Sequence, residues 1–230
     1  MNKLTDISNR VVRKIRREGY LNTIAQLGLW AESFWFDVRY GVDTHRKIGL
    51  GRLNISSPTV KFGRGAQSTF VRHMRKVLDE IRPSASDVLV DFGCGKGRVL
   101  LIAAKYGFKR VVGIEFSKYL CSIARENIRR MQKKTSLCPI EVICNDASLY
   151  DVRPDETVFF FFNPFESVVM NKVIRKIEDS FDQHPRRISI VYLAISSQRI
   201  GLESGRFKLV RDSHLNGLPF QIYELGWQLP

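Results

Sequence analysis

The spacing of hydrophobic positions along this 230-residue chain changes character near residue 82. Before it the pattern is helical: Val11, Val12 and Ile15, then Ile24, Leu27 and Trp30, recur at three- and four-residue steps, with Gly19 as a break. Trp30, Phe34, Trp35 and Phe36 crowd the same stretch and predict a lid or core patch. Residues 41–58 hold Gly41, Gly49, Gly51 and Pro58 and predict a loop. Over Ser68–Ile81, Phe70, Val71, Met74, Val77, Leu78 and Ile81 share one face of a predicted amphipathic helix, which Pro83 ends.

From Asp87 onward short apolar runs alternate with helical stretches. Val88–Phe92 predicts a buried strand, followed by a glycine-rich turn and a helix through Lys105. Arg110–Phe116, Ile140–Cys144, Thr157–Asn163 and Ile188–Ala194 predict further strands, with helices over Leu120–Met131 and near Ser167–Ser180. Phe207–Val210 and Phe220–Leu225 are too close for a helix between them and predict an antiparallel pair turning at Asn216-Gly217. The expected fold is α/β: a three-layer sandwich around a mostly parallel sheet of seven strands with an antiparallel end, preceded by a helical N-terminal extension. The expected division is residues 1–66 as that extension, covering the site as a lid, and 67–230 as the catalytic domain.

Composition adds one strong fact, an excess of 37 Lys+Arg over 23 Asp+Glu. Most of it lies early: residues 1–82 hold 16 basic and 7 acidic residues, the remainder 21 and 16. The basic start, with Arg10, Arg13, Lys14, Arg16 and Arg17 beside Val11, Val12 and Ile15, has three readings. It is a solvated helix face, a site for RNA or an acidic protein, or an attachment to anionic lipid helped by Trp30 and Trp35. No zinc finger or aromatic RNA-binding pattern accompanies it. No apolar run is long enough to cross a bilayer and the first residues lack a secretory h-region, so a cytoplasmic protein is expected. Cys94, Cys121, Cys138 and Cys144 form no metal-ligand spacing and are expected as free thiols. His45, His73, His184 and His214 stand apart, His73 at a polar helix position, and neither a metal nor a catalytic role is assigned to them.

The informative stretch is Asp91-Phe92-Gly93-Cys94-Gly95-Lys96-Gly97-Arg98 after the first strand. Open α/β sheets bind ligands at the carboxyl ends of their strands, and glycines let backbone approach the ligand closely. A dinucleotide turn needs G-x-G-x-x-G, but here Arg98 occupies the third glycine position; a P-loop pattern is absent. Asp91 would repel a pyrophosphate and suits a cationic ligand.

With this motif the chain resembles the class I S-adenosylmethionine-dependent methyltransferases, whose first motif is [D/E]-x-G-x-G-x-G. The resemblance covers about residues 67–226 and implies S-adenosylmethionine as cofactor, with Asp91, Gly93, Cys94, Gly95 and Gly97 lining it. Glu115 at the end of the second strand would accept the ribose hydroxyls, and Asp146 with Ala147 after the third would meet the adenine. Gln67, in the flexible run before the predicted helix, would reach the methionine carboxylate; an ordinary helix cap is the other reading.

Asn163-Pro164-Phe165 ends the fourth strand, where amino-methylating members of the family carry [D/N]-P-P-[Y/F]. The Asn163 side chain and Pro164 carbonyl would accept the target N–H bonds so that the lone pair faces the methyl. Asn163 would also border the cofactor. Phe165 replaces the second proline and Glu166 the aromatic, so Phe165 would supply the aromatic wall one residue early. The expected activity is methylation of a nitrogen on a protein, an RNA or a small molecule. The alternative is a non-catalytic protein that keeps this fold as a scaffold on nucleic acid or an anionic membrane; an NAD-dependent oxidoreductase fits the glycine spacing less well.

Overall fold

A computed structural model describes residues 20–46, 69–162, 167–193, 205–215 and 217–226. Within them lie five helices, α1 (Tyr20–Tyr40), α2 (Val71–Ile81), α3 (Arg98–Ala103), α4 (Lys118–Gln132) and α5 (Ser167–Gln183). The seven strands are β1 (Val88–Phe92), β2 (Arg110–Glu115), β3 (Ile140–Cys144), β4 (Val158–Phe162), β5 (Ile188–Leu193), β6 (Lys208–Leu215) and β7 (Leu218–Leu225). They form one sheet in the order β3-β2-β1-β4-β5-β7-β6. The first five run parallel, and β7 pairs antiparallel with both β5 and β6. The order reverses between β1 and β4, which leaves a crevice above their carboxyl ends.

The inner strands are apolar at consecutive positions because both faces are covered. Leu89, Val111, Phe160 and Val191 point into a core shared with α2, α3 and α4. Val88, Val90, Phe92, Phe159 and Phe161 point to the opposite core, where Val169, Val173 and Ile177 of α5 pack. The run Phe159–Phe161 is therefore central-strand core, with Phe92 stacked on Phe161 at 5.1 Å. The final hairpin is longer than its apolar spacing predicts, since β6 is an exposed edge strand whose register follows β7; it turns at Gly217, where φ is +82°.

Gly113, in the middle of β2, has no room for a side chain. A Cβ there would lie 2.6 Å from Leu100 Cδ1 and 2.7 Å from Cys94 Sγ. This close approach lets β2 support the glycine turn from below. Gly113→Ala is expected to cost about 1–3 kcal/mol in urea unfolding through overpacking; an unchanged midpoint would show that Cys94 and Leu100 can give way.

Two expectations, four free thiols and a polar position for His73, need correction, and the helical spacing of α1 leaves its inner face undecided: Ile24, Leu27 and Trp30 face outward, whereas Thr23, Leu29, Ser33, Phe36, Asp37 and Tyr40 are buried. The helix is apolar on nearly every side, so periodicity could not select its inner face. Cys121 and Cys144 are paired as a disulfide with Cα atoms 6.2 Å apart, and only Cys94 and Cys138 are free thiols. The pairing of Glu115 with Cys144 across β2 and β3 carries Cys144 to the first turn of α4, a proximity that 23 residues of separation conceal. His73 is buried, not solvated, and neither of its ring nitrogens has a partner; burial pulls its pKa down to about 4.

Candidate functional site

The turn after β1 is built on three left-handed glycines, Gly93, Gly95 and Gly97, with φ of +84°, +55° and +84°. The amides of Gly93 and Cys94 both donate to the Ile114 carbonyl, at 2.8 and 3.1 Å, which ties the turn to β2. Glu115 then takes over: its carboxylate accepts from the Gly95 amide at 3.0 Å and from the Ser117 amide at 2.9 Å. One acidic side chain thereby fixes both the glycine turn and the start of α4.

The glycines do different work. At Gly97 an added Cβ would press on Ala124 Cβ at 3.3 Å, so this position admits the close packing of α3 on α4. At Gly95 an added Cβ would meet nothing within 4 Å, so the bare backbone faces open space.

Asp91 and Glu115 are both buried and close enough to repel one another. Burial, and then the charge of Glu115, push the Asp91 carboxyl well above the usual range. Burial raises Glu115 as well, opposed by the amides it accepts from. Such a pair disfavours an anionic ligand and favours a cation. The Cys94 thiol is pushed up by burial and by both carboxylates, which makes it a poor nucleophile. After β3, Asp146 Oδ1 caps a short turn, accepting from the Ser148 amide at 2.9 Å and its hydroxyl at 2.7 Å, with Ala147 buried beside it.

Asp91, Gly93, Cys94, Gly95, Glu115, Asp146 and Ala147 thus stand at the carboxyl ends of β1, β2 and β3 and in the turns that follow them. Gln67 and the Asn163-Pro164-Phe165 segment lie outside the described residues, which resume around the latter at Phe162 of β4 and Ser167 of α5.

Motif reading missed a second group. Lys96 and Arg98, the charged residues of the glycine turn, are both buried. Lys96 Nζ meets Asp43 at 3.0 Å. Arg98 Nε donates to Thr44 Oγ1 at 2.7 Å and its Nη1 to the Thr69 carbonyl at 3.0 Å. Burial pulls the Arg98 guanidinium down to about 10 against the opposing pull of Asp37 and Asp43.

Asp37 anchors the arrangement. It accepts from the amides of Thr44 and His45, the Thr44 hydroxyl and His45 Nδ1. Asn127 of α4 completes it by donating to the carbonyls of Asp43 and Lys96 while accepting the Asp43 amide. The end of α1 and the loop after it therefore brace the glycine turn from outside. Asp37, Asp43 and His45 also bring possible ligand atoms within 4.8 Å of one another. The ammonium of Lys96 and guanidinium of Arg98 already supply the cations those carboxylates need. Two cations inside a glycine turn were the one signal in the sequence that partners would come from elsewhere.

A family model described as "Methyltransferase domain" matches residues 89–184. The chain is 31% identical over 140 residues to a ribosomal protein L11 methyltransferase of Ruminiclostridium cellulolyticum, a match covering 61% of this chain and 40% of that protein. It is 40% identical over 73 residues to the enzyme of the same name from Alteromonas mediterranea, covering 32% and 24%. The chain thus spans less than half the length of these relatives. Among solved structures, an RNA methyltransferase from Salinibacter ruber in complex with S-adenosyl-L-homocysteine superposes with a TM-score of 0.50 at 24% identity, over 70% of this chain and 92% of that one. A SAM-dependent methyltransferase from Aquifex aeolicus superposes with a TM-score of 0.52 at 14% identity, over 66% and 88%.

Proposed function

Because residues 89–184 of this chain form a class I, Rossmann-like methyltransferase domain, we propose that the protein transfers methyl groups from S-adenosylmethionine to a nitrogen acceptor on a protein. The observation that carries this reading is the Glu115 carboxylate holding the Gly95 amide, beside the buried Asp91 and below the open backbone of Gly95. Bound there, S-adenosylmethionine supplies an electrophilic methyl on its sulfonium. Asp91 accepts the α-ammonium, Glu115 the ribose hydroxyls, and Asp146 with Ala147 borders the adenine. Gln67 reaches the cofactor carboxylate.

The chain's work on the acceptor is positional, as in-line displacement demands. Asn163 and the Pro164 carbonyl hold the target N–H bonds, Phe165 walls the acceptor, and residues 1–66 cover the site. A protein acceptor is supported by the names of the relatives, which methylate ribosomal protein L11. Nitrogen is supported by Asn163-Pro164 standing where amino-methylating members carry their acceptor motif.

The test incubates the full chain and methyl-labelled cofactor with separate ribosomal protein, RNA and small-molecule fractions. Label in methylated amines of the protein fraction is expected. Label confined to RNA or small molecules would overturn the acceptor class. Calorimetry showing no binding of S-adenosylhomocysteine would overturn the methyltransferase reading itself.

Asp91 adds a pH dependence. Its folded-state pKa lies well above that of an ordinary aspartate, so the contribution of Asp91 to the stability of the unliganded protein is greatest below the ordinary value and is lost as pH rises through the folded one. An ammonium bound at Asp91 offsets this loss. The rise in melting temperature on saturation with S-adenosylhomocysteine should therefore grow as pH rises above the usual carboxylate range, and should flatten in Asp91→Asn. A rise that shrinks with pH would place the ammonium elsewhere.

A further inference from the structure

Helix α1 is apolar on two opposite sides, and among the described residues only one is packed on the domain, the other making one edge contact, Phe34 on His45. The inner side packs Leu29, Phe36 and Tyr40 onto the domain. On the outer side Tyr20, Ile24, Leu27, Phe34, Trp35 and Val38 are 48–64% exposed, and Ala31 completes the series. Their spacing, four, three, seven and four residues, with Trp35 beside Phe34, keeps them on one stripe. At 1.5 Å per residue the stripe runs about 27 Å from Tyr20 to Val38. It carries no Asp, Glu, Lys or Arg. Trp30 flanks it, edge-on to Phe70, and Glu32 is drawn aside to Arg72 and Arg75.

The surroundings are basic. At the carboxyl end of the stripe stand Arg39, Arg130 and Lys134, gathered there as Arg130 donates to the Gly41 carbonyl and Lys134 to the Arg39 carbonyl. The sequence on either side repeats the sign: residues 1–19 contain six Lys/Arg against two Asp/Glu, and residues 47–68 contain four against none.

We propose that the outer face of α1 docks on an anionic lipid surface, lying in the interface with Trp35, Phe34, Ile24 and Leu27 among the acyl chains and the flanking basic residues on the headgroups. Membrane-surface helices combine these two features: an uncharged aromatic and aliphatic stripe, and basic flanks. A second copy of the chain fits less well, because pairing the stripes would bring two sets of basic flanks together. A nucleic acid fits less well, because its phosphates need Lys or Arg on the contact face itself. No described helix is long and apolar enough to cross a membrane, so α1 lies on the surface. The inference is independent of methyl transfer.

The test is flotation of the full chain with vesicles of phosphatidylcholine containing about one-third phosphatidylglycerol, and with pure phosphatidylcholine vesicles. Binding to the anionic vesicles alone is expected, weakening about tenfold or more in high salt. Tryptophan emission should shift to the blue and be quenched by brominated acyl chains. Leu27→Asp with Trp35→Asp should weaken binding at least about tenfold while leaving the urea unfolding midpoint unchanged, since both side chains are exposed, which shows the variant folded. Equal binding to neutral vesicles, no quenching in the wild-type protein, or full binding by the folded double variant would overturn the proposal. So would sedimentation showing a dimer that the double variant abolishes, or capture of RNA through the same residues in place of vesicles.

Discussion

Replacing Asp37 with alanine is expected to lower the unfolding free energy by about 3–5 kcal/mol, the cost of leaving a buried charge without its partner. Asp37 and Arg98 each have side chains only 4% exposed, so solvent does not screen the loss. The substitution removes the acceptor of the Thr44 amide and hydroxyl and of the His45 amide and ring. Thr44 then no longer holds Arg98 in place, and Arg98 Nη2, which already lacks a hydrogen-bond partner, loses its nearest counter-charge at 3.8 Å. For a chain of this length the loss corresponds to roughly 10 °C in melting temperature. Urea unfolding measures it, and a double-mutant cycle with Arg98→Met isolates the coupling, expected above about 1 kcal/mol. A loss under about 1 kcal/mol for Asp37→Ala would mean that apolar packing of Leu29, Phe36 and Tyr40, not the polar network, holds α1 on the domain.

Glu115→Ala is expected to act in the opposite sense, on binding more than on folding. Its carboxylate accepts the Gly95 and Ser117 amides, and each such charge-assisted bond is worth about 1.5–3 kcal/mol. Losing them frees the glycine turn and removes the acceptor proposed for the ribose hydroxyls. S-adenosylhomocysteine should therefore bind about 100-fold more weakly or worse by calorimetry. Stability should fall by only about 1–3 kcal/mol, because the burial that raises the Glu115 pKa is a cost of carrying this charge and offsets part of the two bonds. Glu115→Gln, which keeps the shape and one acceptor oxygen, should fall between. Affinity within about threefold of wild type in Glu115→Ala would remove Glu115 from the site.

The parallel sheet is legible in the sequence. Strands buried on both faces are continuous apolar runs, so β1 and β3 fall on the residues their sequence marks, and β2 and β4 within one residue at each end. The glycine turn was equally legible, because Gly95 and Gly97 answer to local demands, positive φ and a missing Cβ. Glu115 could be found by its place at a strand end. Its bond to Gly95, 20 residues away, could not, since it depends on how β2 lies beside β1.

Less of the outer layer could be read. The partners of Lys96 and Arg98 come from residues 53 and 54 positions earlier, and nothing in the spacing of Asp43 or Thr44 marks them. The inner face of α1 is the clearest case. Ile24, Leu27 and Trp30 share a helical period, yet the side that packs inward is the one carrying Ser33 and Asp37, which meet the Val71 amide and the Arg98 guanidinium of the domain.

Local chemistry in the chain was thus enough to set the strand runs, the glycine turn and the acidic strand ends that suit a cationic cofactor. Backbone dihedrals, side-chain period and charge act over a few residues and leave their mark in the order of the amino acids. Tertiary structure alone decided which face of α1 is buried, that Cys144 meets Cys121, and that the two cations of the turn are answered by Asp37 and Asp43. Those choices come from contacts between segments far apart in the chain, whose free energy depends on shape and on the pairing of buried charges that no periodicity encodes.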